Sequence, residues 1–186
     1  MAASSETKTI AIRGGCLCKA ITYAILPPSK EELANPDPTL ISGGGKITGT
    51  HCHCDECRNA TGALFMTCAE IPIQRIKIVD SRESLTSFRV SAAAVREHCR
   101  ICGSTMWMKY TGWDDPETGR IDVCVGTMNK HDAKKWINLR HHIFMGDTIN
   151  GGVWEFEDSL PKLVPFGRVL TPRYVTRSDK GEWKRA

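Results

Sequence analysis

His51-Cys52-His53-Cys54-Asp55-Glu56-Cys57 puts three thiols and two imidazoles into seven consecutive residues. A hydrophobic core gains nothing from such a run, whereas a borderline-soft metal such as zinc prefers these donors. Two further cysteine groups flank the triplet. Cys16-Leu17-Cys18 follows Gly14-Gly15, and Cys99-Arg100-Ile101-Cys102 precedes Gly103. A C-x-x-C turn lets two thiolates grip one ion, and a glycine beside it supplies the backbone freedom such a knuckle needs. The two pairs together complete one four-thiolate site, Cys16, Cys18, Cys99 and Cys102, which would tie the start of the chain to its middle. The triplet Cys52, Cys54 and Cys57 then stands alone. With His51 or His53 as fourth ligand it is a closed structural centre, and with an exchangeable fourth position it is a catalytic one. The spacing leaves both open. Cys68 and Cys124 sit singly in strand-like segments and read as small core residues.

Around these groups the chain reads as mainly β. Residues 8–25 alternate apolar and polar side chains on both sides of Gly14-Gly15, which predicts two strands joined by a thiol-bearing turn. The segment 26–46 is rich in Pro, Gly, Asn and Asp and is expected to be mostly loop, with one helical turn capped by Ser29. Strands are predicted over 47–51, 63–71, 73–79, 85–90, 95–99, 104–110, 121–127 and 141–144, with Pro72 breaking one run. Ser91 to Ala94 reads as a hairpin in preference to a helical turn, being too short to stand as a helix, and Trp113 to Gly119 reads as a turn. No stretch shows sustained helical periodicity. Gly43-Gly44-Gly45-Lys46 lacks the spacing and the following Ser/Thr of a phosphate loop.

The 186 residues suffice for one domain with a real core, and 41% hydrophobic with 25% charged residues is ordinary globular composition. Net charge is only +4, gathered near the end in Arg173, Arg177, Lys180, Lys184 and Arg185. Residues 166–186 are therefore expected as a basic C-terminal tail. With few aromatics among those charges, no nucleic-acid partner is expected. Residues 1–7 are expected to be a flexible N-terminus without signal-peptide or membrane-anchor character. Nine cysteines, an odd number in close pairs, point to reduced thiols holding metal and hence to a cytoplasmic protein. His141-His142, adjacent on a strand, point to opposite faces, so at most one enters a pocket. His98, beside Cys99, reads as a neighbour of the four-thiol site and not as a catalytic group. Arg58 beside the triplet is a candidate anion anchor.

The order Gly15-Cys16-Leu17-Cys18, then His51 to Arg58, then Cys99-Arg100-Ile101-Cys102-Gly103-Ser104 resembles the glutathione-dependent formaldehyde-activating enzyme family, which also includes centromere protein V. The likeness continues through Ala60-Thr61-Gly62, Val125-Gly126-Thr127-Met128, His142-Ile143-Phe144 and Trp154 ahead of Leu160-Pro161, and covers roughly 8–165. The resemblance implies a β-tent fold of antiparallel sheets with zinc-knuckle turns and two zinc sites. Cys16, Cys18, Cys99 and Cys102 match the structural ligands, and Cys52, Cys54 and Cys57 the second, catalytic site. It implies a carbon–sulfur lyase, an S-(hydroxymethyl)glutathione synthase that joins glutathione and formaldehyde, so the expected partner is a small-molecule thiol. On that reading His53, Glu56 and Asp55 are the candidate acid–base groups, Arg58 and the 26–46 loop candidate holders of glutathione, and an oligomer is compatible. The chain departs from the pattern at Met128-Asn129-Lys130, where acidic character is lost, and in its long 26–46 loop. Two rival readings follow: a lyase for another glutathione or cysteine conjugate, and a zinc-stabilised binding module without turnover.

Overall fold

A computed structural model describes residues 10–89, 91–92, 94–110 and 119–149, and the backbone alone of 162–165, 172–177 and 183–185. The predicted turn at Trp113 to Thr118, the motif from Trp154 to Pro161 and the first seven residues lie outside the described residues. The strands are β1 (Ile12–Gly15), β2 (Ile21–Ile25), β3 (Ile41–Ser42), β4 (Lys46–Cys52), β5 (Met66–Pro72), β6 (Ile76–Asp80), β7 (Leu85–Arg89), β8 (Ala94–Cys99), β9 (Thr105–Tyr110), β10 (Arg120–Cys124), β11 (Ile137–Ile143), β12 (Lys162–Pro165), β13 (Pro172–Arg177) and β14 (Trp183–Arg185). Three short helices interrupt them: α1 (Lys30–Ala34), α2 (Asp55–Thr61) and α3 (Lys130–Trp136). The fold is mainly β, as the alternation predicts.

A three-stranded sheet β1-β2-β6 and a larger sheet in the order β14-β13-β12-β11-β4-β5-β10-β9-β8-β7 make up the architecture, with β3 paired beside β4. Most pairs are antiparallel, but β11 runs parallel to both β4 and β12, a departure from the expected all-antiparallel arrangement. Parallel pairing needs a long connection, and the chain between β4 and β11 supplies one that contains six other strands. Strands β13 and β14 fall within the stretch expected as a tail and extend the sheet from β12. The β7–β8 hairpin forms as predicted, with Arg89 opposite Val95.

The pleat of the large sheet separates two populations of side chains. Ala69, Val123 and Trp107 are cross-strand neighbours on β5, β10 and β9. They point into a core shared with Ile12, Ile21, Ile25, Ile47, Ile71 and Ile121, all at most 1% exposed. On the opposite face, register places Cys52 beside Met66, Cys68 beside Cys124, Glu70 beside Asp122, Asp122 beside Met108, and Met108 beside Arg96. Side chains two residues apart share a face, so these form one continuous surface across five strands.

The 26–46 segment is anchored rather than free. Ser29 caps α1 through a full capping box with Glu32. Buried Arg75 holds Leu26 O at 2.9 Å and Glu32 at 3.4 Å, while Arg120 bridges Asp37 and Glu70. On the first sheet Tyr23 lies across Gly14, where any Cβ would meet its ring at 2.1 Å. Its hydroxyl is 2.7 Å from Thr127 Oγ1 and its ring packs edge-on against Trp107.

Candidate metal centre and its surroundings

Two turns build the four-thiol group. The β1–β2 turn presents Cys16 and Cys18, and the β8–β9 turn presents Cys99 and Cys102. In the latter, Gly103 adopts φ of 72° and its amide donates to Cys99 O at 2.8 Å. The Cys16–Cys18 and Cys18–Cys99 sulfur separations are 3.6 and 3.8 Å. A tetrahedron with metal–sulfur bonds of about 2.3 Å has edges of about 3.8 Å, so the sulfurs stand at coordination spacing. The hydroxyl of Ser104 beside Cys102 pulls that thiol down to about 5, which favours a thiolate ligand. Cys16 and Cys99 are fully buried, while Cys18 and Cys102 lie nearer the surface.

The three-thiol group is built differently. Cys52 ends β4, Cys54 caps α2, and Cys57 lies in the first turn of α2. The helix bends the chain back so that all three sulfurs lie within 4.8 Å of one another. Cys52 donates to Cys54 at 3.5 Å, and the Cys57 amide donates to Cys54 Sγ at 3.4 Å. The bond from Cys52 drives the Cys54 thiol well down, and the same bond, with burial, drives Cys52 up. Hydrogen bonds from Cys52 and from the Cys57 amide thus favour a negative charge on Cys54. Asp55 and Glu56 fall in the first turn of α2, where the helix dipole favours them, and Gly62 ends the helix in the left-handed region.

Neither histidine of the run joins the sulfurs. His51 Nδ1 is 2.9 Å from Thr67 Oγ1. His53, 1% exposed, places Nε2 at 2.8 Å from Nδ1 of His142, itself 1% exposed. The three imidazoles and Phe65 form one ring cluster, with His51–His142 and His53–His142 centroids 4.7 and 5.1 Å apart. Of His141 and His142, it is His142 that turns inward. The carboxylates expected as acid–base groups are each held by a guanidinium: Asp55 by Arg58, and Glu56 by Arg96 at 3.2 Å. Arg58, expected as an anion anchor, thus pairs with Asp55 while its buried Nε has no hydrogen-bond partner among the described residues. His98 packs its ring edge-on against Phe88, away from the sulfurs of both groups.

Sequence reasoning missed Arg96. Its guanidinium, 2% exposed, lies 3.7 Å from Cys57 Sγ and 3.3 Å from Met108 Sδ. In β8, which reads Ala-Val-Arg-Glu-His-Cys, an inward arginine looks like an outward one; the register with Met108 distinguishes it. Cys68 and Cys124 oppose each other beneath the triplet, and burial raises both thiols, Cys124 to about 12. They fill the sheet face, as expected, and belong to neither sulfur group. Asp122 beside them is pushed up to about 7 by burial and by the nearby Glu70.

No described helix is long and apolar enough to cross a membrane. A Colletotrichum graminicola protein provisionally named as a glutathione-dependent formaldehyde-activating enzyme is 31% identical over 71 residues, 38% of this chain and 37% of that protein. An uncharacterized lyase of Schizosaccharomyces pombe is 29% identical over 105 residues, 55% of this chain and 61% of the lyase. The chain thus spans less than two thirds of the length of either relative. A crystal structure of a Rhodobacter sphaeroides protein superposes with a TM-score of 0.43 at 21% identity, covering 67% of this chain and 97% of that one. The model of the glutathione-dependent formaldehyde-activating enzyme family matches residues 40–147, which include the whole triplet, Arg96 and the Cys99–Cys102 turn, and the chain belongs to that family.

Proposed function

We propose that the protein is a zinc-dependent carbon–sulfur lyase that makes or cleaves the adduct of glutathione with formaldehyde, S-(hydroxymethyl)glutathione. The observation that carries this reading is the three-thiol group itself. Its sulfurs stand at coordination spacing, and the two histidines able to close it are engaged with Thr67 and His142 instead.

Cys52, Cys54 and Cys57 would hold the ion, and Cys16, Cys18, Cys99 and Cys102 a second, structural one. A zinc ion in the three-thiolate group supplies an exchangeable position that keeps an incoming thiol deprotonated. In the forward direction the glutathione sulfur attacks the formaldehyde carbon. The C–S bond forms as the carbonyl π pair moves to oxygen, and that oxygen takes a proton. His53 is the group proposed to give it, because it stands between Cys52 and Cys54 in the chain and its ring is held by His142 at 2.8 Å. Glu56 and Asp55, tied to Arg96 and Arg58, are the lesser candidates and also set the angle of α2. Arg58, whose buried Nε has no hydrogen-bond partner among the described residues, is proposed to meet a carboxylate of glutathione through its guanidinium. All nine cysteines are unbridged, which supports a reducing, cytoplasmic setting.

Zinc counting with and without glutathione, paired with turnover assays of Cys54→Ala, tests the proposal. Two ions per chain are expected, one of them labile and glutathione-sensitive. Cys54→Ala should lose turnover while the four-thiol ion stays bound. Undiminished thiol-dependent turnover in that variant would reject the assignment.

A further inference from the structure

We infer that Arg96 tempers the protein's own Cys57 sulfur, so that the incoming thiol and not a resident cysteine reacts with the electrophile. The inference rests on the reading of the triplet as a metal-held thiol-activating centre.

A three-thiolate centre that handles formaldehyde faces a selectivity problem. Any carbon electrophile admitted to react with a fourth sulfur meets three resident thiolates, and a thiolate is intrinsically nucleophilic. The resident sulfurs must be made poorer nucleophiles than the guest. A charge-assisted N–H bond does this by stabilising the sulfur lone pair in the ground state. Arg96 is placed for that task on Cys57. One Nη reaches Cys57 Sγ at 3.7 Å and Glu56 at 3.2 Å, and the other reaches Met108 Sδ at 3.3 Å.

Its tie to Glu56 on α2 accounts for only part of this arginine's setting. Burying a guanidinium is costly unless it is well paired. Among the described residues its ion-pair partner, Glu56, is 43% exposed, Asp122 is a neighbouring charge without an ion pair to it, and its Nε is buried without a hydrogen-bond partner. The other two partners are sulfur atoms, weak acceptors when neutral. Methionine or leucine would pack between Met108 and Cys57 at lower cost. The arrangement makes most sense when Cys57 carries charge, because a thiolate adds a buried strong acceptor to the half-exposed Glu56 carboxylate. A guanidinium also stays protonated at all relevant pH, so the tempering is permanent, unlike one supplied by a histidine.

The test uses the zinc-loaded full chain as parent, Arg96→Lys and Arg96→Met. Metal is counted in each, and iodoacetamide alkylation is followed cysteine by cysteine by peptide mass spectrometry. Each alkylation forms one S–C bond and releases iodide. The sulfur-to-cobalt charge-transfer band of the cobalt-loaded proteins serves as a readout indifferent to reagent access. In Arg96→Met, with two metals retained, Cys57 should react about tenfold faster relative to Cys54, the scale of one hydrogen bond to a charged group. The band should move to longer wavelength, with Arg96→Lys intermediate in both. Two retained metals with an unchanged Cys57 ratio and an unmoved band would overturn the inference. Loss of the second metal in both variants would also overturn it, since Arg96 would then assemble the site and not temper it. A parent with metal on the four-thiol group alone would overturn the proposed function instead, and the inference with it.

Discussion

The four-thiol group should act as the main tie between the two ends of the core, and its contribution follows from chain length. Cys18 and Cys99 are 81 residues apart, with sulfurs 3.8 Å from each other. Closing a loop of that length costs about 4 kcal/mol from the logarithmic term alone, (3/2)RT ln n. A metal held by both turns removes most of that cost from folding, to the extent that the unfolded chain does not hold the ion. The clean perturbation is Cys18→Ser with Cys102→Ser. These two thiols lie nearer the surface, whereas Cys16 and Cys99 are fully buried and their loss would mix core damage with loss of metal. Cys18 and Cys102 only flank the core, so these near-isosteric substitutions cost less in themselves than changes at Cys16 or Cys99. In a chain of 186 residues each kcal/mol shifts Tm by about 2–4 °C, so the double variant should melt about 8–16 °C below the parent. Calorimetry in zinc-containing buffer, with metal counting on the same samples, measures the shift. Parent stripped by a strong chelator should melt close to the variant. A double variant that has lost one metal yet melts within about 3 °C of the parent would refute the loop-closure argument.

Three further outcomes are expected. Gly14→Ala should displace the Tyr23 ring from its seat, breaking the 2.7 Å contact with Thr127 and disturbing Trp107. Denaturant unfolding should show a loss of about 1–3 kcal/mol, and Tyr23→Phe alone about 1 kcal/mol. Asp122 has a folded-state acidity near 7 against an ordinary 3.8, so the unfolded chain releases its proton first as pH rises. Its contribution therefore falls between those values, with a slope of at most about 1.4 kcal/mol per pH unit. Asp122→Asn should gain stability relative to the parent from pH 5 to 7 in urea titrations, and parallel curves would contradict the burial argument. His142→Ala should lower turnover by roughly 10–100-fold, the scale of losing the partner that orients a functional histidine, with both metals still present.

Local spacing carried much of what the sequence revealed. Both sulfur groups assemble from the cysteines whose close pairs and glycine-bearing turns suggested them, because each knuckle is closed by bonds a few residues apart. The capping box at Ser29 and the β7–β8 hairpin were legible for the same reason. What escaped the sequence is either very short or non-local. Helix α2 has seven residues, too few for periodicity, and its cap is a cysteine, a residue read as a ligand. Asp55-Glu56 ahead and Gly62 behind were its available signals. Helix α3 likewise begins at Asn129, whose side chain accepts from the His131 and Asp132 amides. The parallel pairing of β4 with β11 joins residues about ninety positions apart, and nothing in either strand names its partner. That pairing brings His142 to His53. Alternation could say that only one of His141 and His142 turns inward, but not which.

The difference between the two sulfur groups follows from how each is made. Two knuckle turns facing one another bring two sulfurs each, and the four lie within 4.8 Å of one another, a set that suits a tetrahedral ion. The triplet arises where a strand runs straight into a helix. The pleat fixes Cys52 on the sheet face it shares with Met66, and the helix then brings Cys54 and Cys57 back over the same point. His53, between two ligands, is directed away by that change of backbone, toward β11 and His142. A strand-to-helix junction of this length supplies three sulfurs; on the same sheet face Cys68 and Cys124 stay outside the group, and β8 brings up a cation, Arg96. A fixed positive charge beside Cys57 suits the proposed role, in which the group would take up an incoming anionic sulfur.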